Sequence, residues 1–307
     1  LLAKNPSSVD HVLRVTGFNV PRFRDKQNAN KAIHEAVGKV WAGELEAQQQ
    51  AIMTERPLCL AVSLDGCYSR THRKFGPAKN CTATAIRNDT NKIIDQESVT
   101  SDEHHVRDDG TEVTRSENVA ICKLLPRLKK PLTARRGKPV FITDENNHTL
   151  SLVCEHYGED AMCIDCWHRM TKIPKKLAAC FTEHQVNVSA AELAVFSTMC
   201  KDLFHSVAHS LPASGRLRRW QRAAPEVIQA HGGAGSAYEA PLLAFFNDYS
   251  KYIRLMSNTD HPSNANVETL HSAHLRLVSK AQQLSPAAYR ARIAACGLSW
   301  NRRDGWL

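Results

Sequence analysis

The order of hydrophobic patterns between residues 58 and 181 is the feature that most restricts the fold. The run "LCLAVSLDG" (residues 58–66) is continuously apolar and ends in Asp-Gly, which predicts a buried strand followed by a turn. The run "CTATAIRNDTNKIIDQESVTS" (residues 81–101) alternates on both sides of "NDTN", which predicts a hairpin with its turn at residues 88–91. Three strands therefore open this region, each expected to pair antiparallel with the next.

Helical and strand patterns alternate through the rest of the region. After a polar loop rich in charge and His, the patterns predict a helix ("SENVAICKLLPRLKK"), a strand that ends at Asp144 ("KPVFITDENN"), a helix ("HTLSLVCEHYG"), a strand ("AMCIDCW") and a basic helix bent near Pro174 ("HRMTKIPKKLAAC"). This order predicts an α/β (α+β) chain with the ribonuclease-H-like arrangement, a mixed sheet flanked by helices.

Helical patterns on both sides of this region divide the 307 residues into four predicted parts. Residues 1–56 form a helical N-terminal segment, and residues 57–181 form the first part of the ribonuclease-H-like core. Residues 182–262 form a mostly helical insertion before the last catalytic helix, and residues 263–307 supply the C-terminal helices that complete the core. The first residue is Leu1 rather than Met, which leaves room for upstream modules such as a separate DNA-reading domain.

Three carboxylates stand at positions where a metal-dependent site could form. Asp65 and Asp144 end the first and fourth predicted strands, which are neighbours in a ribonuclease-H-like sheet, although either one alone is more simply a turn residue. Glu268 lies in the first turn of a helix that Asn266 is expected to cap, where it either complements the helix dipole or completes a metal-binding cluster. The predicted buried face of that helix comprises Val267, Leu270, His274, Leu277 and Val278.

Basic residues outnumber acidic ones, and the net charge of +9 suits a polyanionic partner. They are concentrated at residues 127–138, 168–176 and 216–222. The third cluster surrounds Trp220, whose ring either stacks on a base or anchors its segment to the core. The predicted DNA-contacting residues are Arg135, Arg136, Lys138, Arg169, Lys172, Lys175, Lys176, Arg216, Arg218, Arg219, Trp220 and Arg222.

The ten cysteines show no paired framework, and several lie inside apolar patterns. This distribution is typical of reduced, buried thiols in a cytosolic or nuclear protein. The tightest group, "CIDCWH", offers Cys163, Cys166 and His168 as ligands for a structural zinc ion. Because a second ligand pair at a standard spacing is missing, Zn²⁺ is the weaker of the cofactor hypotheses.

Several motifs, in order, resemble the catalytic domain of Mutator-like transposases. "LAVSLDGCYSR" with the hairpin after it resembles the opening of that domain, and "VFITDENNHTLSLV" resembles its second-Asp strand and following helix. "CIDCWHRMTKIPKKL" is similar to the family's Cys-x-x-His element and basic helix, and "SNANVETLHSAHLRLVSK" to its Asn-x-Asn-x-Glu-Ser helix. "ARIAACGLSWNRRDG" is similar to the terminal helix, so the resemblance runs from residue 58 to the end.

The resemblance implies a DNA transposase, active or domesticated, that cleaves phosphodiesters and transfers strands through a triad of Asp65, Asp144 and Glu268. It implies that these carboxylates hold two Mg²⁺ or Mn²⁺ ions, and that His168 contacts the scissile phosphate or orients a ligand. The expected partner is duplex DNA (transposon ends and target), with a homo-oligomer on the DNA and nuclear localisation (cytosolic when free). No apolar run reaches membrane-spanning length, so no membrane partner is expected.

The chain departs from the family pattern in four places, one of which is Thr269 where the family has a Ser after its Glu. The family's His-Cys and Trp-Cys pairs read "HS" and "WQ" here, at residues 209–210 and 220–221. Cys166 stands where a His is expected, with Asp165-x-x-His168 as the variant form. Two alternatives therefore stay open: a domesticated DNA- or protein-binding module without catalysis, and a hydrolytic ribonuclease-H-like nuclease that cuts without joining.

Overall fold

The structure, a computed structural model, describes residues 26–55, 60–69, 79–134, 137–278 and 284–302. In chain order its elements are α1 (Lys26–Glu55), β1 (Leu60–Tyr68), β2 (Asn80–Arg87), β3 (Lys92–Thr100), β4 (His105–Val106), β5 (Glu112–Val113), α2 (Ser116–Thr133), β6 (Pro139–Thr143), α3 (Asn147–Tyr157), a 3-10 turn (Glu159–Ala161), β7 (Met162–Ile164), α4 (Cys166–Met170), α5 (Ile173–Glu183), α6 (Ala190–Ser210), α7 (Ala213–Ala230), α8 (Glu239–Met256), α9 (Ala265–Leu277) and α10 (Pro286–Asn301).

These elements belong to two compact units, one within Leu1–Pro139 and Ala265–Leu307 and the other Val140–Asn264. Strands β1, β2 and β3 pair antiparallel, and β6 and β7 pair parallel. They form one mixed sheet with the strand order β3-β2-β1-β6-β7. The chain is therefore mixed α/β, as the pattern order predicted, and the predicted hairpin turn at residues 88–91 is confirmed.

The core of the first unit forms where helices cover the three antiparallel strands. Helix α2 packs on all three strands, while α9 packs on β1 and β2. Val267 and Leu270 of α9 are fully buried in a cluster with residues of β2, β3, α1 and α10. The close packing of α1 on α10 needs Gly297, because a Cβ there would lie 2.6 Å from the Trp41 ring. The apolar side of α9 is thereby held against β1.

The second unit is mostly helical around the β6–β7 pair. Helix α8 packs on α5, α7 and β7, and α6 packs on α4, α5 and α7. Among the described residues the largest fully buried side chain is Trp220, whose ring is tilted against Phe246 with centroids 4.7 Å apart and lies edge-on to Phe204 at 5.8 Å. In the described residues no helix has the length and apolar character to span a bilayer.

Three predicted features of the fold are wrong. The Asp-Gly pair does not end β1, because β2 pairs with it beyond Asp65 as far as Tyr68. The polar loop contains a short hairpin, β4–β5. The basic helix is two helices, α4 and α5, and Pro174 stands in the first turn of the second, where its missing N–H has no intrahelical partner to lose.

The four predicted parts differ from the two compact units in their boundaries. The N-terminal part is helical over Lys26–Glu55, and residues 1–25 and 56 lie outside the described residues. The predicted insertion at residues 182–262 contains α6, α7 and α8. It belongs to the same compact unit as β6 and β7, since helices of the insertion pack on β7 and α5.

Candidate functional site

Asp65 lies inside β1, paired opposite Thr84 of β2. Its Oδ1 accepts a hydrogen bond from the Gly66 amide at 2.7 Å, and its Oδ2 lies 3.3 Å from Nδ1 of His271 on α9. Gly66 lets α2 approach the strand, because a Cβ there would lie 2.5 Å from Cγ of Glu117. The Asp65 side chain is 19% exposed, so it is both restrained and accessible.

Glu268 is placed by α9, three residues before His271. Helix α9 begins at Ala265, so Asn266 lies within its first turn and does not cap it as predicted. The Glu268 side chain is exposed, next to the buried Val267. Residues three apart lie on one side of a helix, so Glu268 stands one turn before the imidazole that contacts Asp65. Asp65 and Glu268, two of the three predicted triad residues, therefore lie on elements of the same unit that pack on each other.

Asp144 directly follows β6, as predicted, and the sequence after it folds into α3 with Asn146 as its N-cap. Its Oδ2 lies 3.5 Å from Nδ1 of His168. His168 is fixed at the start of α4, because the N-cap Asp165 accepts a hydrogen bond from its amide at 2.7 Å. Both side chains are partly exposed, at 34% for Asp144 and 41% for His168. The predicted catalytic pair of Asp144 and His168 is therefore adjacent within its unit.

The three carboxylates belong to different units, Asp65 and Glu268 to the first and Asp144 to the second. Their convergence on one site stays a prediction. As donors they fit the implied ions, because Mg²⁺ and Mn²⁺ prefer carboxylate oxygens and Asp65 and Asp144 are accessible rather than locked in the core.

Cys163 and Cys166 are core thiols in this structure. Both are almost fully buried, and burial raises the pKa of Cys163 and raises that of Cys166 to about 12, so both are protonated at neutral pH. Asp165 lies between them and could have served as a ligand. Its carboxylate instead caps α4, where it accepts a hydrogen bond from the His168 amide, and it also accepts one from the Asn264 amide. The predicted zinc group with His168 is therefore not assembled.

Sequence reasoning missed a different group, Cys67, His271 and His274. Among the described residues it is the one set of three or more His, Cys, Asp or Glu side chains whose ligand atoms all lie within 4.8 Å of one another. A signal was present: the two histidines are three residues apart on a helix, and Cys67 follows Asp65 at the strand period of two. The pKa of His274 is lowered to about 3 by burial, so its imidazole is neutral.

Two predicted DNA contacts, Arg216 and Trp220, are wrong because both side chains are completely buried. Trp220 donates from Nε1 to the carbonyl of Phe246 at 3.0 Å, which is the anchoring role that the sequence left open. Arg216 donates to backbone carbonyls that surround it, those of Leu211, Met256, Thr259 and Asp260. Neither is available to a nucleic acid.

The predicted contact by Arg169 is wrong for the same reason. Its guanidinium lies 3.5 Å from the ring centroid of Tyr252 and donates to Glu145 at 2.5 Å, with 6% of the residue exposed. Lys172 also donates to Glu145, at 2.8 Å, but it is partly exposed. The Glu145 carboxylate therefore holds the start of the basic segment against α8.

The remaining predicted contacts that lie among the described residues have side chains that are at least partly exposed. Lys176 is partly exposed, 3.4 Å from Asp248, and Arg219 pairs with Glu226 at the surface. Residues 135–136, both Arg, lie outside the described residues. Among the described residues, the exposed members of the predicted set are Lys138, Lys175, Arg218, Arg219 and Arg222.

Comparison of the chain with protein-family models, with curated proteins and with solved structures found no match in any of the three. The candidate residues are therefore described by their own geometry within each unit. In the first unit a restrained Asp65 lies beside His271, with the exposed Glu268 one helical turn before that histidine, and in the second unit Asp144 pairs with His168 at the end of β6.

Proposed function

We propose that the chain is the catalytic domain of a DNA transposase that performs metal-dependent phosphodiester cleavage and strand transfer through Asp65, Asp144 and Glu268. The observation that carries this proposal is the strand order β3-β2-β1-β6-β7, with one aspartate in β1 and the other directly after β6. The ribonuclease-H-like arrangement that the sequence patterns predicted would have this strand order. Carboxylates on neighbouring strands of such a sheet are well suited to share metal ions.

The surroundings of the two aspartates also support the proposal. Each has an imidazole nitrogen within 3.5 Å, from His271 at Asp65 and from His168 at Asp144. Such contacts orient a carboxylate and leave part of its oxygens accessible. Residues that only end a strand need no such restraint.

Each residue has a role in this proposal. The carboxylates of Asp65, Asp144 and Glu268 would hold the ions, and two bound divalent ions supply Lewis-acid stabilisation of the attacking and leaving oxygens. The Asp144 carboxylate lies beside Nδ1 of His168 and orients the ring, and His168 would contact the scissile phosphate or orient a metal ligand. The exposed arginines of α7, Arg218 and Arg222, would bind the DNA backbone, which adds affinity without selecting a sequence.

The test is manganese-supported cleavage and joining of labelled duplex DNA ends by the parent chain and by Asp144→Ala. We expect the substitution to reduce both reactions by at least about 100-fold, because a lost metal ligand removes transition-state stabilisation. Asp202→Ala is the matched control, an exposed acid on α6 of the same unit, and its activity should equal the parent's. Equal activity of Asp144→Ala and the parent would reject the triad.

The alternatives give different results in the same assay. A hydrolytic nuclease cuts the labelled end but yields no joined product. A domesticated binding module shifts the DNA in a gel without cutting it, and its melting temperature does not rise with Mn²⁺, because a protein is stabilised by a ligand only when its folded state binds it. The exposed basic face of α7 is compatible with this last alternative, since it does not depend on the carboxylates.

A further inference from the structure

Cys67, His271 and His274 form a compact group on the buried side of α9. Cys67 is on β1, and both histidines are on α9, which packs directly on that strand. The sulfur and one nitrogen of each imidazole lie within 4.8 Å of one another. The group is enclosed, with exposures of 9% for Cys67, 8% for His271 and 1% for His274.

Three of the four histidine ring nitrogens in this group lack a hydrogen-bond partner among the described residues. Neither ring nitrogen of His274 has a hydrogen-bond partner among the described residues, and the same holds for Nε2 of His271. A buried polar group without a partner destabilises the fold, and buried polar atoms in native proteins are nearly always satisfied. Three such atoms beside one thiol therefore point to a ligand that bonds to them.

The contact with Asp65 sets the orientation of the His271 ring. Its Nδ1 lies 3.3 Å from the Asp65 carboxylate, so Nδ1 carries the proton and Nε2 keeps its lone pair. Histidines that bind metals usually donate their second N–H to a carboxylate or carbonyl in this manner. The Asp65–His271 contact thus prepares Nε2 as a metal ligand.

We propose that Cys67, His271 and His274 bind one Zn²⁺ ion, with Asp65 orienting His271. A thiolate and two imidazoles match the ligand preference of zinc, whereas Mg²⁺ prefers oxygen ligands. Zinc bonds of about 2.0–2.3 Å bring ligand atoms within about 4 Å of one another. The ligand atoms of this group lie within 4.8 Å, so small side-chain rotations would bring them to bonding distance of one ion. Binding would release the thiol proton of Cys67 to solvent and leave a fourth position for water.

Such an ion would fasten α9 to β1. The two elements are far apart in sequence, and the metal would fix the helix that carries Glu268 against the strand that carries Asp65. Its ligands differ from those of the carboxylate triad, because they are Cys and His and face the core, and Asp65 is the one residue that contributes to both. The zinc site does not depend on transposase activity.

The test begins with chain that has been stripped with a chelator and then titrated with Co²⁺, which reports thiolate coordination by visible and near-ultraviolet absorption. We expect one Co²⁺ per chain, displaced by an equal amount of Zn²⁺ but not by excess Mg²⁺. Cys67→Ser should weaken binding by more than about 100-fold and abolish the thiolate charge-transfer band, because even indirect supporters of a metal ligand change affinity by about 10–100-fold.

Cys122→Ser is the matched control, a buried thiol on α2 in the same unit but outside the group, and it should bind Co²⁺ as the parent does. Circular dichroism establishes that each variant is folded. If Cys67→Ser does not fold, Zn²⁺-dependent protection of Cys67 from alkylation in the parent chain decides the question by mass spectrometry.

Absence of a cobalt spectrum in folded parent chain, unchanged binding in Cys67→Ser, or no protection of Cys67 would overturn the zinc site. These outcomes are independent of DNA cleavage. If the chain binds zinc but does not cut DNA, the zinc site stands and the transposase proposal fails. If it cuts DNA but does not bind zinc, the transposase proposal stands and the zinc site fails.

Discussion

Asp65 and Glu268 are restrained to different degrees. Both Asp65 oxygens have protein contacts, at Gly66 and His271, and the residue sits within a paired strand. Glu268 is exposed in the first turn of α9. Because substitution of Asp65 disturbs local structure as well as chemistry, Glu268 is the carboxylate at which catalysis and stability can be measured separately.

We predict that Glu268→Gln folds normally and loses cleavage and joining activity by orders of magnitude, because the amide keeps the side-chain volume but removes the charge that holds a divalent ion. If Glu268 serves only the helix dipole, the change costs about 0.3–1 kcal/mol and activity is unaffected. Activity and urea unfolding of one purified variant separate the two roles. Glu239→Gln, a first-turn acid of α8, is the control for the dipole contribution.

The basic residues of helix α7 lie on two sides of the helix, one buried and one exposed. Its 3.6-residue period places Arg216 and Trp220 on the buried side, and Arg218 and Arg222 on the exposed side. The buried arginine joins the start of α7 to the end of α8 through backbone carbonyls. Basic residues that are adjacent in sequence therefore do not form one basic surface on a helix, because the helix places some of them on its buried side.

We predict opposite outcomes for two arginines of this helix. Arg216→Ala should lower the free energy of unfolding by at least about 3 kcal/mol, because several buried carbonyls lose their donor at about 1–3 kcal/mol each. Arg218→Ala should leave stability within about 0.5 kcal/mol and weaken DNA binding. Urea unfolding and a DNA-binding titration on both variants check this. A stable Arg216→Ala would mean that its hydrogen bonds contribute little.

The chain as a whole is basic, with a net charge of +9. Binding to duplex DNA releases condensed counterions, so affinity should depend on salt in proportion to the number of phosphates contacted. Surface position matters more than total charge, since several basic side chains in this structure are buried or paired with acids. The salt dependence can therefore identify the surface that meets DNA.

We predict that duplex DNA binding weakens steeply between low and physiological salt. Arg218→Glu combined with Arg222→Glu should reduce the slope of log affinity against log salt by about 2, because each phosphate contact contributes about 0.9. Lys31→Glu combined with Lys39→Glu changes the net charge equally on the exposed side of α1 and should preserve the slope. Equal slopes in the two double variants would show that α7 does not contact the DNA.

Local patterns determined the elements of this protein. Alternation and helical spacing predicted the three-strand opening, the turn at residues 88–91, the position of Asp144 after a strand and the helix that carries Glu268. These features depend on residues close in sequence. Burial of one apolar face stabilises the helix or strand whose residue period matches the spacing of the apolar side chains. The end of β1 was mispredicted because pairing with β2 extends the strand past an Asp-Gly pair that locally favours a turn.

Only the tertiary structure decided which side chains meet across the chain. Arg169, Arg216 and Trp220 look like surface residues in sequence, but aromatic packing and distant backbone carbonyls bury them. Likewise, Cys67 and His274 come together because α9 returns to pack on β1. No local pattern encodes such contacts, since they arise when distant segments bury their apolar faces against each other and carry polar side chains into the same space.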